Sequence, residues 1–208
     1  FGKTPNYLSH WSIENVRDEC FTSIQQMGIN QFAVIGHSLG GLIALSLAVQ
    51  YPQSIKKLCL INSFAYLRPV KLDDWIYLLR RFIRTMTISP KAQAELVAKR
   101  IFQDDSQQSL RELTVQKIIQ TDLVAYRRAM FSIATIDMRQ YLSSITMPCL
   151  VITSEQDNTV AKQIQQQLAI HIPSARQVIV PLGGHAVIIE QPDLVNQLIL
   201  EFLLNNPG

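Results

Sequence analysis

Long apolar runs, glycine, proline and charge are all scarce in this sequence, and each scarcity excludes a class of protein. No apolar run comes near the roughly 20 residues that a transmembrane helix needs, so no membrane span is expected. Only 8 of the 208 residues are glycine and 9 are proline, which excludes collagen-like and low-complexity chains. Charged residues make up 17% and hydrophobic residues 48%, with a net charge of +3, so the chain is not intrinsically disordered. The composition predicts one globular domain, or a core with an insertion.

Cysteine and histidine are also few, and they are scattered. The three cysteines are Cys20, Cys59 and Cys149, and the last two lie in apolar runs. We interpret these two as buried, reduced thiols, which favours a reducing compartment and therefore the cytoplasm. No spacing of His or Cys is typical of a metal site, so we expect neither a metal nor another cofactor. Basic and acidic residues are interleaved, which argues against nucleic-acid binding.

Four short apolar runs rich in β-branched residues predict buried parallel strands separated by helices. The predicted strands are 31–35, 57–62, 149–154 and 177–181. Helical spacing predicts helices over 12–27, 39–50, 160–172 and 192–204, with Ser12 as an N-cap. We interpret the glutamines at 165–167 as the solvent-exposed face of their helix. Alternating strands and helices predict an α/β fold, with a mostly parallel sheet covered by helices on both faces.

The middle of the chain has no strand pattern and is predicted to be helical. Its helices are expected over 73–87, 90–103, 109–120 and 123–135. We therefore expect a helical cap at 66–142, inserted between core segments 1–65 and 143–208. The positive excess of the chain lies here, because residues 71–128 contain 11 basic and 7 acidic residues, a net of +4. Such a basic helical face is either solvated or binds an acidic group.

One motif in the sequence carries chemistry. Residues 36–41 are Gly-His-Ser-Leu-Gly-Gly, which fits G-x-S-x-G between a predicted strand and a predicted helix. This is the setting of a nucleophile elbow, a sharp turn that lifts Ser38 Oγ above the edge of the sheet. Small neighbours must give room for such a turn, and we assign this role to Gly36 and Gly40. A phosphate-binding loop is disfavoured because no Gly-Lys-Ser/Thr follows.

A serine hydroxyl is a weak nucleophile at neutral pH, so it needs a base that a carboxylate orients. In the chain order expected for this elbow, the acid follows the serine and the histidine comes last. His185 follows the last predicted strand, where a base could face the elbow, whereas His37 is expected to line the pocket beside Ser38. Asp157 follows the third strand and is the favoured acid, with Glu155 as its competitor. Asp157 could also cap the helix that starts near residue 160.

These segments, together with Met-Pro at 147–148 and Glu-Gln-Pro at 190–192, resemble the α/β-hydrolase fold enzymes. The resemblance extends over the whole chain except its middle. It implies a hydrolase of carboxylic esters, acting on a small-molecule ester or acyl substrate through an acyl-enzyme. Ser38 would be the nucleophile, His185 the general base and then acid, and Asp157 the orienting carboxylate. The resemblance also implies that the backbone N–H of Leu39 is one oxyanion donor.

The beginning of the chain departs from the family pattern. Members of the family have further strands before the elbow strand, and their second oxyanion donor comes from that region, whereas only about 30 residues precede Phe32. We expect the chain to be the C-terminal portion of a longer protein, with the early strands missing, rather than a natural minimal variant. On its own, the elbow strand would be an open edge through which copies could self-associate.

The substrate does not follow from the fold, which also serves thioesterases and acyltransferases. The segment 136–148 is similar to the esterases that remove a methyl ester from a pimeloyl group on acyl carrier protein. In that interpretation Arg80 and Arg84 of the basic cap bind the acidic carrier or a carboxylate, and His37 is a further substrate contact. The alternative from another class is a non-catalytic binding protein of the same fold. The complete set of nucleophile, base and acid argues against that alternative.

Overall fold

The computed structural model describes residues 11–69, 71–87 and 90–204, with residues 82, 84–87 and 90 described by their backbone only. Its strands are β1 (Phe32–His37), β2 (Ile55–Ile61), β3 (Cys149–Ser154) and β4 (Ala175–Val180). They form one parallel sheet in the order β1-β2-β3-β4. The predicted α/β class and parallel sheet are therefore confirmed. Because the strands run in the same direction, the segments that leave their carboxyl ends meet at one edge of the sheet.

The described residues also contain helices. They are α1 (Ile13–Gln26), α2 (Leu39–Gln50), α3 (Leu72–Thr87), α4 (Pro90–Ile101), α5 (Gln108–Ile119), α6 (Leu123–Thr135), α7 (Lys162–His171), α8 (Val187–Glu190) and α9 (Pro192–Leu204). The predicted bounds of helices and strands agree with the structure to within two residues. The one-turn helix α8 was not predicted, because an apolar period needs more than four residues to be visible. Within the described ranges, no helix combines the length and apolarity that crossing a bilayer requires.

One face of the sheet packs against α8 and α9. Successive residues of a strand point to opposite faces of the sheet. Alternate residues of β2, β3 and β4 therefore point to this face. The buried members of the cluster are Cys59, Ile61, Leu150, Ile152, Val180, Val187 and Val195. Val178, Leu198, Ile199 and Phe202 pack against them, so one apolar stripe of α9 covers this face of the sheet.

The cysteines that fall in strands are buried, as predicted. Cys59 lies in β2 and Cys149 in β3, and both are free thiols, whereas Cys20 is a free thiol exposed on α1. Burial raises the pKa of Cys59 to about 12 and raises that of Cys149 as well. The two strand thiols are therefore protonated core residues rather than reactive groups.

The central helices belong to a compact unit of their own, residues 68–134, while residues 12–67 and those from 135 onward form the unit that contains the sheet. Inside the helical unit, Arg81 Nη2 donates to the hydroxyl of Tyr126 at 3.0 Å. The guanidinium of Arg100 lies over the ring of Tyr77, 4.7 Å from its centroid, and also pairs with Asp74. Part of the basic charge of this segment is thus held within the unit.

Candidate active site

Ser38 lies between β1 and α2, at the carboxyl edge of the sheet. Its backbone has φ 53° and ψ −119°, a conformation that residues other than glycine rarely adopt. The Ser38 N–H donates to the carbonyl of Ile61 at 2.9 Å, which extends the pairing of β1 with β2 by one residue. The chain then enters α2, whose first N–H groups, including that of Leu39, have no carbonyl acceptor within the helix. The sharp turn expected at this motif is present.

Two glycines make the turn possible, and they are not the pair that we expected. A Cβ on Gly36 would collide with the carbonyl oxygen of Gly40 and lie 2.6 Å from Gly41 Cα. A Cβ on Gly41 would lie 2.5 Å from Ser63 Cβ. In contrast, a Cβ on Gly40 would meet nothing within 4 Å in the described part of the chain. The role assigned to Gly40 was therefore wrong, because the second position that must stay small is Gly41.

A series of hydrogen bonds joins the three side chains that the sequence singled out. His185 Nε2 lies 3.0 Å from Ser38 Oγ, and His185 Nδ1 lies 2.8 Å from Asp157 Oδ2. The side chains of His185 and Asp157 are 6% and 0% exposed, so water does not compete for the bond between these two residues. An ionised carboxylate only accepts, so Nδ1 carries the ring proton and Nε2 can accept from the serine hydroxyl.

Asp157 accepts hydrogen bonds on both carboxylate oxygens. Oδ1 accepts from the backbone N–H of Thr159 at 2.7 Å and of Val160 at 2.9 Å. Oδ2 accepts from His185 and from Gln165 Nε2, the latter at 2.9 Å. Asp157 thus both contacts the histidine and caps the turn before α7, so the two interpretations of this residue are compatible. Glu155, the other candidate for the acid, makes a different contact: its Oε2 accepts from the Leu182 N–H at 3.3 Å.

The backbone of the His185 loop is held by two side chains from the neighbouring strand ends. The His185 carbonyl accepts from His37 Nε2 at 2.7 Å and from Asn62 Nδ2 at 3.0 Å. Asn62, which is fully buried, also donates to the Gly184 carbonyl at 3.0 Å and accepts from the Ser154 N–H at 2.9 Å. Glu190 completes the attachment, because its carboxylate accepts from the Gly184 N–H at 2.7 Å.

His37 is a neutral imidazole in this setting. Burial, together with the adjacent His185 ring 5.0 Å away between centroids, lowers the pKa of His37 to about 4. A carbonyl can only accept, so the His37 proton lies on Nε2. The ring nitrogen that donates is therefore engaged with the His185 backbone, a role that we did not predict for His37.

The arginines proposed from the sequence lie in the helical unit. Arg80 is exposed on α3, and the side chain of Arg84 lies outside the described residues. Among the residues that the structure describes, no group of three or more His, Cys, Asp or Glu side chains is placed to hold a metal ion.

Asn62 and Gln165 are polar residues of the site that we did not predict. Asn62 could have been found, because it follows β2 directly and the carboxyl ends of parallel strands share an edge. Gln165 could not, and our interpretation of the glutamines as a solvent-exposed face was wrong for this residue. Gln165 is 0% exposed, whereas Gln167 is exposed. The spacing of apolar residues along the helix cannot distinguish Gln165 from Gln167. The difference is a tertiary contact, because Gln165 donates to Asp157.

Comparisons with known proteins show which family and fold the chain resembles. A family model described as the alpha/beta hydrolase fold matches residues 1–192. A protein of Stutzerimonas stutzeri named carbamate hydrolase RutD is 25% identical over 217 positions, covering 99% of this chain and 79% of that protein. An enol-lactonase from Burkholderia xenovorans has a TM-score of 0.83 at 24% identity, covering 94% of this chain and 74% of its own. An esterase from Exiguobacterium antarcticum has a TM-score of 0.86 at 15% identity, covering 99% of this chain and 78% of the esterase.

Proposed function

The chain belongs to the α/β-hydrolase fold family, and within that family we propose that it hydrolyses carboxylic esters through Ser38, His185 and Asp157. The observation that carries the proposal is the series of hydrogen bonds from Ser38 Oγ through the His185 ring to Asp157. A base at 3.0 Å is within reach of the serine proton, and its other nitrogen already donates to a buried carboxylate. This supports a serine nucleophile rather than a non-catalytic binding protein.

In the proposed reaction, Ser38 Oγ attacks the ester carbonyl and its proton passes to His185 Nε2. The backbone N–H of Leu39, at the beginning of α2, donates to the oxyanion that forms. The C–O bond to the leaving alcohol then breaks, and the alcohol takes the proton from His185. Water, deprotonated by the same nitrogen, attacks the acyl-enzyme; the bond between the acyl carbon and Ser38 Oγ breaks, and Oγ takes the proton back from His185 as the acid leaves. Asp157 holds the tautomer and stabilises the imidazolium throughout.

Carbamate hydrolysis is a second candidate, favoured by the name of the Stutzerimonas relative. A carbamate carbonyl can be attacked by the same serine and would pass through a carbamoyl-enzyme. The nitrogen attached to the carbonyl makes the carbamoyl-enzyme less electrophilic than an acyl-enzyme. The two candidate activities therefore differ in the rate at which water hydrolyses the covalent intermediate.

We also propose that the protein works in the cytoplasm, in a reducing environment. The support is the pair of buried free thiols in β2 and β3, which a reducing compartment keeps unpaired. An acyl carrier protein as partner remains an expectation that rests on the basic helical segment.

The experiment that tests the proposed function is intact-mass spectrometry after treatment with a fluorophosphonate. We expect one adduct on the unmodified chain, none on Ser38→Ala, and an undiminished adduct on Ser23→Ala, which removes a hydroxyl exposed on α1. Turnover of p-nitrophenyl acetate and p-nitrophenyl N-methylcarbamate then separates the two candidates. A folded chain that gains no adduct, or an adduct that persists in Ser38→Ala, contradicts the proposal.

A further inference from the structure

Gln165 is a buried polar residue behind the acid of the candidate site. It lies on α7 and is 0% exposed, although Gln163 and Gln167 on the same helix are exposed. A primary amide in the interior needs hydrogen-bond partners to offset the loss of water. The contacts of this amide therefore indicate why it is there.

Both N–H groups of the Gln165 amide are used. Nε2 donates to Asp157 Oδ2 at 2.9 Å and to the carbonyl of Val160 at 2.8 Å. Since both partners are acceptors, the nitrogen of the amide must be the atom that faces them. The oxygen Oδ2 is also the one that accepts from His185 Nδ1. Gln165 and the histidine thus share one atom of the carboxylate.

The carbonyl oxygen of the Gln165 amide lowers the stability of the folded protein. Gln165 Oε1 is buried and has no hydrogen-bond partner among the described residues. A buried carbonyl without a donor destabilises a protein, and an apolar side chain of similar length would avoid that loss. Stability alone therefore does not account for a glutamine at this position.

We infer that Gln165 is a positioning residue that fixes the Asp157 carboxylate for its contact with His185. This inference rests on the proposed function. The Thr159 and Val160 N–H groups hold Oδ1, and Gln165 holds Oδ2, so rotation of the carboxylate about its last bond would break bonds on both oxygens. Because the amide is neutral, it orients the carboxylate while leaving its negative charge to stabilise the imidazolium.

The decisive variant is Gln165→Met, which keeps the length of the side chain and removes both donors. We expect the maximal rate of fluorophosphonate labelling to fall about tenfold, as expected for loss of one orienting hydrogen bond, with the half-saturating probe concentration unchanged. Gln165→Glu places a second carboxylate against Asp157 and should lower the rate further. Gln163→Met, an exposed change on the same helix, is the matched control and should label like the unmodified chain.

A second readout follows the contact itself. The proton shared by His185 Nδ1 and Asp157 should give a downfield ¹H NMR signal, which we expect to shift or broaden in Gln165→Met but not in Gln163→Met. Unchanged labelling and an unchanged signal in a folded Gln165→Met would overturn the inference. If that variant does not fold, Gln165→Leu is measured in the same way. If the unmodified chain forms no adduct, the proposed function fails, and the NMR signal alone decides the role of Gln165.

Discussion

The two sides of the candidate site are held in different ways. On the base side, the side chains of His185 and Asp157 are buried, and hydrogen bonds from the side chains of Asn62 and Gln165 hold the segments that carry them. On the nucleophile side, Ser38 directly follows β1, the strand at one edge of the described sheet, where Ile35 is 44% exposed. By contrast, every residue of β3, which leads to Asp157, is buried.

This difference separates two means of fixing a side chain. Ser38 is positioned by its backbone, through a left-handed φ and glycines that allow β1 and α2 to come into contact. His185 follows a strand end by several residues, so its loop depends on hydrogen bonds from buried polar side chains. Changes in glycine should therefore damage the nucleophile side, and changes in polar side chains should damage the base side.

The largest effect is expected on the nucleophile side, from Gly36→Ala. The new Cβ would overlap backbone atoms of Gly40 and Gly41, which cannot move without displacing the start of α2. We expect the free energy of unfolding to fall by about 3 kcal/mol or more, since overpacking against backbone cannot be relieved by a rotamer change. Urea unfolding followed by circular dichroism measures the change.

Gly40→Ala is the matched control for that variant. It adds the same methyl group to the second residue of α2, in space that no described atom occupies. Alanine is favoured over glycine in helices by about 0.5–1 kcal/mol, so stability should stay the same or rise slightly. Equal losses in the two variants would show that the close contact at Gly36 does not hold the turn.

The glycines also show where sequence reasoning ends. The motif and its place between a strand and a helix predicted the elbow, because G-x-S-x-G is a local pattern with a local geometry. Which glycine is packed against another segment depends on where Ser63 and α2 lie in space. That information is tertiary, so the motif pointed to Gly40 where the structure requires Gly41.

The same distinction applies to the base side. His185 and Asp157 could be predicted because each follows a strand, and parallel strands deliver their following loops to one edge. Asn62 carries the same signal and was overlooked because an amide has no part in the expected chemistry. Gln165 carries no such signal, since it lies inside a helix eight residues after Asp157.

The next effect in size is expected from Asn62→Ala on the base side. The change leaves the Ser154 N–H without its side-chain acceptor and removes one donor from the His185 carbonyl. We expect a loss of about 3 kcal/mol in stability and roughly 100-fold in labelling rate, as for a buried network that loses its central member. The labelling rate is measured from fluorophosphonate reactions quenched at a series of times, and the loss of stability from urea unfolding. A variant that loses stability but labels at the normal rate would refute the positioning role.

A smaller, pH-dependent effect is expected from His37. Its pKa is about 4 in the folded protein and near 6.5 when unfolded, so the unfolded chain takes up the proton first. Its contribution to stability is complete above about pH 6.5 and is lost progressively as the pH falls towards 4. His37→Gln keeps a donor but does not titrate. Unfolding in urea across this range should show a shallower loss in His37→Gln, and identical slopes would exclude the effect.

The smallest effect is expected from Ser63→Ala, at the residue next to Asn62. Ser63 Oγ donates to the carbonyl of Ser38 at 2.9 Å, and that carbonyl also accepts from the N–H groups of Gly41 and Leu42. Because two backbone donors remain, the turn keeps its geometry without the hydroxyl, and the loss should be about 1 kcal/mol. Labelling should change less than about threefold, since a polar side chain supports the nucleophile side only weakly. If Ser63→Ala reduced the labelling rate as much as Asn62→Ala, both sides of the site would depend on polar side chains, and the contrast between them would not hold.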